Sequence, residues 1–248
     1  MDKSRLLMTD DGKTFLVKNI DRDFHCQFGM VKKDDLQSKV GDVVETNKGK
    51  KIYILNPMNK DRFAKIKRNA QIMPSKDVGF IISEIGIDKN TVVIDAGAGS
   101  GGACLSFSLI AKKVYTYDIR EDHLEIVKEN KKYMDIDNLE VGFKDITKDK
   151  LDTTKADVIN LDIPNPWDAL ENCMKHLKPG GFLVSYSPTI PQVSDLVEKV
   201  SDDDRIVYLK SVETSEREWE FSGRKIRPKT KQRIGHSGFI SFFRKVMS

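Results

Sequence analysis

Apolar positions in the first 57 residues come in short runs, Phe15-Leu16-Val17, Val43-Val44 and Ile52-Tyr53-Ile54-Leu55, parted by Asp11-Gly12, Gly41-Asp42 and Asn47-Lys48-Gly49. Short apolar runs bounded by turn formers predict a small β-rich module. After Pro57 the pattern becomes amphipathic through Arg68, and from Thr91 onward apolar strands alternate with helical segments. Four strands are readable, at Thr91–Ile94, Val114–Tyr117, Val158–Leu161 and Phe182–Ser185. Helices are expected between them at Ala103–Ala111, Asp122–Met134 and Trp167–Leu177, the last stopped by Lys178-Pro179-Gly180-Gly181. Near-continuous apolar strands with helical crossovers imply a parallel sheet covered on both faces. The tail reads differently: Ile206–Phe221 and Ile234–Val246 form two long strands joined by a basic segment, an antiparallel addition at one sheet edge. These patterns divide the chain into a β-rich domain, residues 1–60, and an α/β domain, residues 61–248.

Composition adds limits. The 248 residues are 39% hydrophobic and 32% charged, within the range of ordinary globular chains. No window approaches eighteen uninterrupted apolar residues, and Met1-Asp2-Lys3-Ser4-Arg5 does not open a secretory signal, so a cytoplasmic protein is expected. Cys26, Cys104 and Cys173 are scattered, without metal-ligand spacing, and no metal site is expected. The net charge of +4 is small, but its distribution is uneven. Arg224 to Arg233 holds six basic residues and no acid, and Lys60 to Arg68 holds five against one. Such a strip is either a solvated face or a phosphate contact.

Candidate chemistry gathers at the strand ends. The first strand runs into Asp95-Ala96-Gly97-Ala98-Gly99-Ser100-Gly101-Gly102 and then a helix, so backbone can approach a nucleotide-like cofactor closely. Gly97, Gly99 and Gly102 satisfy G-x-G-x-x-G, which does not separate a dinucleotide from S-adenosylmethionine. Asp118 ends the second strand, where a carboxylate can accept both bonds of a ribose diol or merely cap a helix. Asp145 lies where a third strand would end and could accept from an adenine amino group, or close a turn. In Asn160-Leu161-Asp162-Ile163-Pro164-Asn165-Pro166-Trp167 a strand-end carboxylate is followed by two prolines and an indole. That stiff wall suits a flat heteroaromatic substrate, although an indole beside a loop is also an ordinary packing residue. His25 and His123 lack any partner constellation.

Together, Asp95-x-Gly-x-Gly-x-Gly, Asp118, Asp145 and the proline-rich strand end resemble class I S-adenosylmethionine-dependent methyltransferases. Adding Gln71, Lys76-Asp77, Tyr117-Asp118, Leu177-Lys178-Pro179-Gly180-Gly181, Tyr186-Ser187-Pro188, Arg227-Pro228 and Gly235-His236-Ser237-Gly238-Phe239, the chain is similar over nearly its whole length to the tRNA adenine-N1 methyltransferase family. The resemblance implies a Rossmann-like, mostly parallel seven-stranded sheet with an antiparallel edge, and methylation of the T-loop adenosine at tRNA position 58, in archaea also 57. It implies S-adenosylmethionine held by Gln71, Asp95, Gly97, Gly99, Ser100, Gly101, Gly102, Ala103, Asp118, Ile119, His123, Lys144, Asp145 and Asp162, with Asp162 catalytic. It implies tRNA contacts from Pro164, Trp167, Arg227 and His236, and a homotetramer. One departure stands out: Gln71-Ile72-Met73-Pro74-Ser75-Lys76-Asp77 carries Pro74 where the family has a tyrosine expected to flank the cofactor or target base. Rival readings are a methyltransferase acting on an exocyclic amino group or small molecule, and a catalytically silent tRNA-binding subunit, against which the three carboxylates Asp95, Asp118 and Asp162 argue.

Overall fold

A computed structural model describes residues 4–153, 155–229 and 237–247. The chain divides into two compact units, Met1–Ile66 and Lys67–Ser248. In the first, strands β1 (Arg5–Thr9), β2 (Thr14–Val17), β3 (Phe24–Cys26) and β4 (Gly29–Val31) precede helix α1 (Lys33–Leu36), and β5 (Val43–Glu45) and β6 (Lys51–Leu55) precede helix α2 (Asn59–Phe63). An antiparallel sheet of order β2-β1-β6-β5 lies with a separate β3–β4 hairpin. The alternation in β6 explains its seat: Ile52 and Ile54 are buried with Leu7, Val17, Ile20, Val31 and Leu36, while Lys51 and Tyr53 face outward. The amphipathic stretch after Pro57 is helical only over the five residues of α2.

The second unit alternates. Helix α3 (Ser75–Ile85) leads to β7 (Val92–Ala96), α4 (Gly102–Ser108), β8 (Lys113–Asp118), α5 (Glu121–Met134), β9 (Leu139–Phe143) and β10 (Ala156–Leu161). A 3-10 turn (Pro166–Ala169) and α6 (Leu170–His176) follow, then β11 (Leu177–Ser187), α7 (Ile190–Ser201), β12 (Ile206–Glu213), a hairpin of β13 (Trp219–Ser222) and β14 (Lys225–Pro228), and β15 (Phe239–Lys245). Seven strands form one sheet of order β12-β15-β11-β10-β7-β8-β9. The neighbours from β11 to β9 are parallel, and β15 runs antiparallel between β11 and β12. This is the mostly parallel, Rossmann-like seven-stranded sheet with an antiparallel edge that the resemblance implies.

The four expected strands are present: β7, β8 and β10 are one or two residues longer than their apolar runs, and β11 has eleven residues, because it already begins at Leu177 and includes the Lys178-Pro179-Gly180-Gly181 expected to stop the preceding helix. In the second unit two helices lie outside those expected. In α3, Val78 and Ile81 bury one face around Gly79, and Gly86 ends the helix in the left-handed region at φ 70°. In α7, Pro191 opens the first turn and Val193, Leu196 and Val200 point to the core at helical spacing. The tail departs from the two long strands expected: β12 stops at Glu213, and residues 219–228 turn back on themselves as a hairpin. The cause is local, a run of charge at Glu216-Arg217-Glu218 followed by Gly223 at φ 57°, which closes the β13–β14 turn. The Ile234–Val246 expectation falls in part on residues outside those described; β15 begins at Phe239.

Consecutive Phe242 and Phe243 are both fully buried, as a strand covered on both faces requires. Lys245 is buried too, and its Nζ donates to the carbonyls of Met174 and Leu177 at 2.6 and 2.9 Å, which closes the carboxyl end of α6. Among the described residues no helix is long and apolar enough to cross a membrane, and no cluster of three or more His, Cys, Asp or Glu could hold a metal. Phe243 lies within an apolar cluster with Leu183, Leu196, Val200 and Ile206. Phe243→Ala is expected to cost about 3 to 5 kcal/mol of stability, read as a lowered urea midpoint at unchanged slope.

Candidate active site

Strand order reverses at β7, whose neighbours β8 and β10 are reached by crossovers in opposite directions. Open α/β sheets take their ligands in the crevice at such a point, beyond the carboxyl ends of the strands. A cavity of about 580 Å³ lies there, lined from the β7 end by Ala96, Gly97 and Gly99, from β8 by Asp118, Ile119 and Arg120, and from the end of β10 by Asp162, Ile163 and Pro164. That size suits a small-molecule ligand.

The turn after β7 is what brings these ends together. Gly97 sits at φ 90°, and a Cβ built on it would lie 2.0 Å from the Asp162 carbonyl oxygen. Only glycine permits both the dihedral and the approach. The Asp162 amide donates to the Ala96 carbonyl at 2.8 Å, and the Gly97 and Ala98 amides both donate to the Tyr117 carbonyl. Ser100 has another task than lining the cavity. Its Oγ accepts from the amides of Asn69 and Ala70, each at 3.0 Å, and donates to the Ala70 carbonyl, so it moors the segment carrying Gln71 to the cavity rim. Gly101, Gly102 and Ala103 also do not line the cavity; they pack inward, where a Cβ on Gly102 would meet Ile72 at 2.8 Å.

The carboxylates have distinct environments. Asp95 is buried and does not line the cavity; its oxygens accept from Thr116 Oγ1 and Asn160 Nδ2, both at 2.8 Å. Burial pushes it up to about 6 even so. Asp118 accepts from the Gly99 amide, the Arg120 amide and His123 Nδ1, all at 3.0 Å. Three of a carboxylate's roughly four acceptor sites are therefore taken, leaving room for one further donor rather than the two of a diol. His123 has the partner that the sequence did not reveal. Asp145 closes a turn of its own: its Oδ1 accepts from the Thr147 amide and hydroxyl at 2.9 and 2.6 Å, which, with Lys148, holds it below the usual carboxylate range. Lys144 lines the cavity, while its Nζ donates to the Lys150 carbonyl and Asp152 at 2.8 Å. Asp162 is pushed up to about 7, by burial first and then by the charges of Asp95 and Asp118.

Pro164 lines the cavity and Trp167 does not. A 3-10 turn repeats every three residues, so Asn165 and Asp168 share the cavity face and Trp167 is turned away. The indole packs against the core and edges a groove with Lys199, Asp202 and Asp203, which corrects the expectation of a stacking wall. Arg227 is also away from the cavity, on the exposed β14, with Nε 3.1 Å from Glu220 across the hairpin. His236 lies outside the described residues. Sequence reasoning passed over Arg120, Thr147, Asn165 and Asp168, which line the cavity, and Thr116 and Asn160, which hold Asp95. Strand alternation was the available signal for Asn160, two residues before Asp162 and so on the same face.

A family model described as "tRNA methyltransferase complex GCD14 subunit" matches residues 50–242. The tRNA (adenine(57)-N(1)/adenine(58)-N(1))-methyltransferase TrmI of Methanocaldococcus jannaschii is 33% identical, over 97% of this chain and 94% of its own. The tRNA (adenine(58)-N(1))-methyltransferase TrmI of Thermus thermophilus is 29% identical, over 90% and 88%. Of solved structures, a SAM-dependent O-methyltransferase from Thermotoga maritima is similar with a TM-score of 0.86 at 27% identity, covering 100% of this chain and 94% of that one. The tRNA (m1A58) methyltransferase TrmI of Aquifex aeolicus, at 22% identity with 100% and 98% covered, shares the fold with a TM-score of 0.83. A model matching most of the sequence, and a relative one-third identical along nearly all of it, meet on a chain whose glycine turn and strand-end carboxylates enclose one cavity: the protein belongs to the tRNA methyltransferase family of the GCD14 subunit.

Proposed function

We propose that the protein transfers a methyl group from S-adenosylmethionine to N1 of an adenosine in the tRNA T-loop, at position 58 and, as in the archaeal relative's printed activity, also at 57. The observation that carries this reading is the seat of Asp162, a carboxyl pushed up to about 7 at the rim of a glycine-turn cavity. The residues present fit the cofactor: Gly97 and Gly99 line the cavity without side chains to fill it, and Asp118 retains one acceptor site. On this reading the cofactor lies along Gly97 to Gly99, beside Gln71, Ile119, Lys144 and Asp145. Asp118 takes a ribose hydroxyl, and His123 keeps that carboxylate oriented.

When bound, S-adenosylmethionine supplies its methyl group as a sulfonium, which adenine N1 takes with a lone pair it already has. No strong base is needed, and positioning dominates the rate. Asp162 accepts a hydrogen bond from the exocyclic amino group, which orients the ring and stabilises the positive charge that develops on it. The preceding glycine turn holds the Asp162 backbone from both sides, so the carboxyl does not have to be ordered during the reaction. Pro164 stiffens the wall beside the target base. The base must be everted from folded tRNA, and Arg224 and Lys225 at the hairpin turn are cationic partners for the surrounding phosphates.

The family assembly is proposed to be a homotetramer in the cytoplasm. Supporting it, Val207, Tyr208 and Leu209 of edge strand β12 and Trp219, Phe221 and Ile226 of the hairpin are exposed, an apolar surface that a second copy would cover. Light scattering is expected to read four chain masses; a single chain mass would contradict the tetramer.

The function is tested by incubating the protein with methyl-labelled S-adenosylmethionine and unmodified tRNA, then analysing the nucleosides. The label is expected in 1-methyladenosine; label in an exocyclic N-methyl or O-methyl product would favour the rival suggested by the Thermotoga likeness. Losing one preorganised stabilising contact costs about 3 to 4 kcal/mol, so Asp162→Ala should lower turnover by roughly a hundredfold or more while cofactor still binds. The pH dependence has a definite sign. The ionised carboxyl is the form that accepts from the amino group, so kcat/KM should rise as pH increases through about 7 and level off above it. Asp162→Asn should abolish that limb.

A further inference from the structure

One buried carboxylate takes no part in the chemistry above. Asp77, in the first turn of α3, is wholly buried, and donors from four places in the chain converge on it. Lys76 Nζ reaches its Oδ1 at 2.7 Å, where the Thr214 hydroxyl also donates. Ser237 Oγ and the Tyr186 hydroxyl donate to its Oδ2 at 2.7 and 3.2 Å. The Lys76 ammonium is itself shared, lying 2.7 Å from Thr214 Oγ1, 2.9 Å from the Thr214 carbonyl and 2.6 Å from Ser237 Oγ. Burial alone would raise the Asp77 carboxyl, yet these bonds hold it below its ordinary value.

The places these donors come from give the cluster its meaning. Thr214 is the first residue after β12, Ser237 stands two residues before β15, and Tyr186 is the penultimate residue of β11. One carboxylate thus ties down both ends of the chain excursion that leaves the sheet after β12 and returns at β15. That excursion contains the β13–β14 hairpin with Arg224 and Lys225. The same carboxylate holds the phenol of Tyr186, against which the backbone is packed so tightly that a Cβ on Gly238 would lie 2.5 Å from the ring. Burying an ammonium with a carboxylate brings little net stability. Its use is geometric, because each donor must sit where the charge is.

We propose that Asp77 is a positioning residue for the nucleic-acid substrate, rooting the hairpin excursion through Thr214 and Ser237 and holding Tyr186 in place, with no part in cofactor binding. The proposal rests on the tRNA reading above for the identity of that substrate. It separates two halves of the site: the β7–β8 side serves the cofactor, and the β11–β15–β12 side, organised by Asp77, serves the RNA.

The test compares the full chain with Asp77→Asn, Thr214→Val and Ser237→Ala. Three quantities are measured: the KM for tRNA, the Kd for S-adenosylmethionine, and deuterium uptake of residues 215–229. Asp77→Asn is expected to raise the KM for tRNA about tenfold or more, the equivalent of one hydrogen bond to a charged group. The two hydroxyl variants should raise it less, with cofactor Kd unchanged within about twofold and faster uptake across 215–229 in all three. Should Asp77→Asn fail to fold because Lys76 is left unpaired, the hydroxyl variants decide. An unchanged KM in both, or a cofactor Kd that worsens in step with the KM, would overturn the proposal. If the unmodified protein leaves tRNA unmethylated, the functional reading falls by itself; uptake across 215–229 then still judges the clamp, and unchanged uptake overturns it.

Discussion

The contact of the Gly97 backbone with the carbonyl of Asp162 is the constraint on which the site depends. Two parallel strands can end side by side without meeting, and here they are drawn together by the Asp162 amide bond to Ala96 and by the missing side chain at position 97. A methyl group at that point would collide with backbone, which cannot move aside as a flexible side chain can. From this closure the rest follows: the carboxyl of Asp162 is carried to the rim of the turn, within the electrostatic reach of Asp95 and Asp118, and largely out of water.

Three carboxyls in so small a space do not all ionise easily. Asp95 is relieved by Thr116 and Asn160, and Asp118 by two amides and His123. Asp162 has no such relief among the described residues: burial and the charges of Asp95 and Asp118 all act in the same upward direction. An acidic, poorly hydrated crevice suits a cationic ligand, because a sulfonium entering it lowers the cost of charging the remaining carboxyl. The electrostatics thereby join cofactor binding to the readiness of the group that meets the base.

Much of this was legible in the residues. The β7 turn, the strand-end positions of Asp118, Asp145 and Asp162, and the sheet itself could be read from apolar runs that end in glycine or acid. What was not legible depended on distance in the chain. Ser100 reads as a ligand residue because its partners, Asn69 and Ala70, lie about thirty residues upstream, whereas His123 is only five residues from its partner Asp118 and meets it because α5 turns back over the end of β8. Trp167 departs from its expected place for another reason: a 3-10 turn at Pro166 rotates it away from neighbours that do line the cavity. The hairpin at 219–228 is hidden within a sequence whose β-propensity is plain and whose break is only the short charged run 216–218.

The most direct test of this account is a carbon-13 NMR titration of protein labelled at its aspartate carboxyls, with Asp162→Asn identifying the resonance. The account predicts a midpoint for Asp162 near 7 in the free protein, moving downward when S-adenosylmethionine is added. A midpoint near the ordinary carboxylate value of about 4, indifferent to the cofactor, would contradict it.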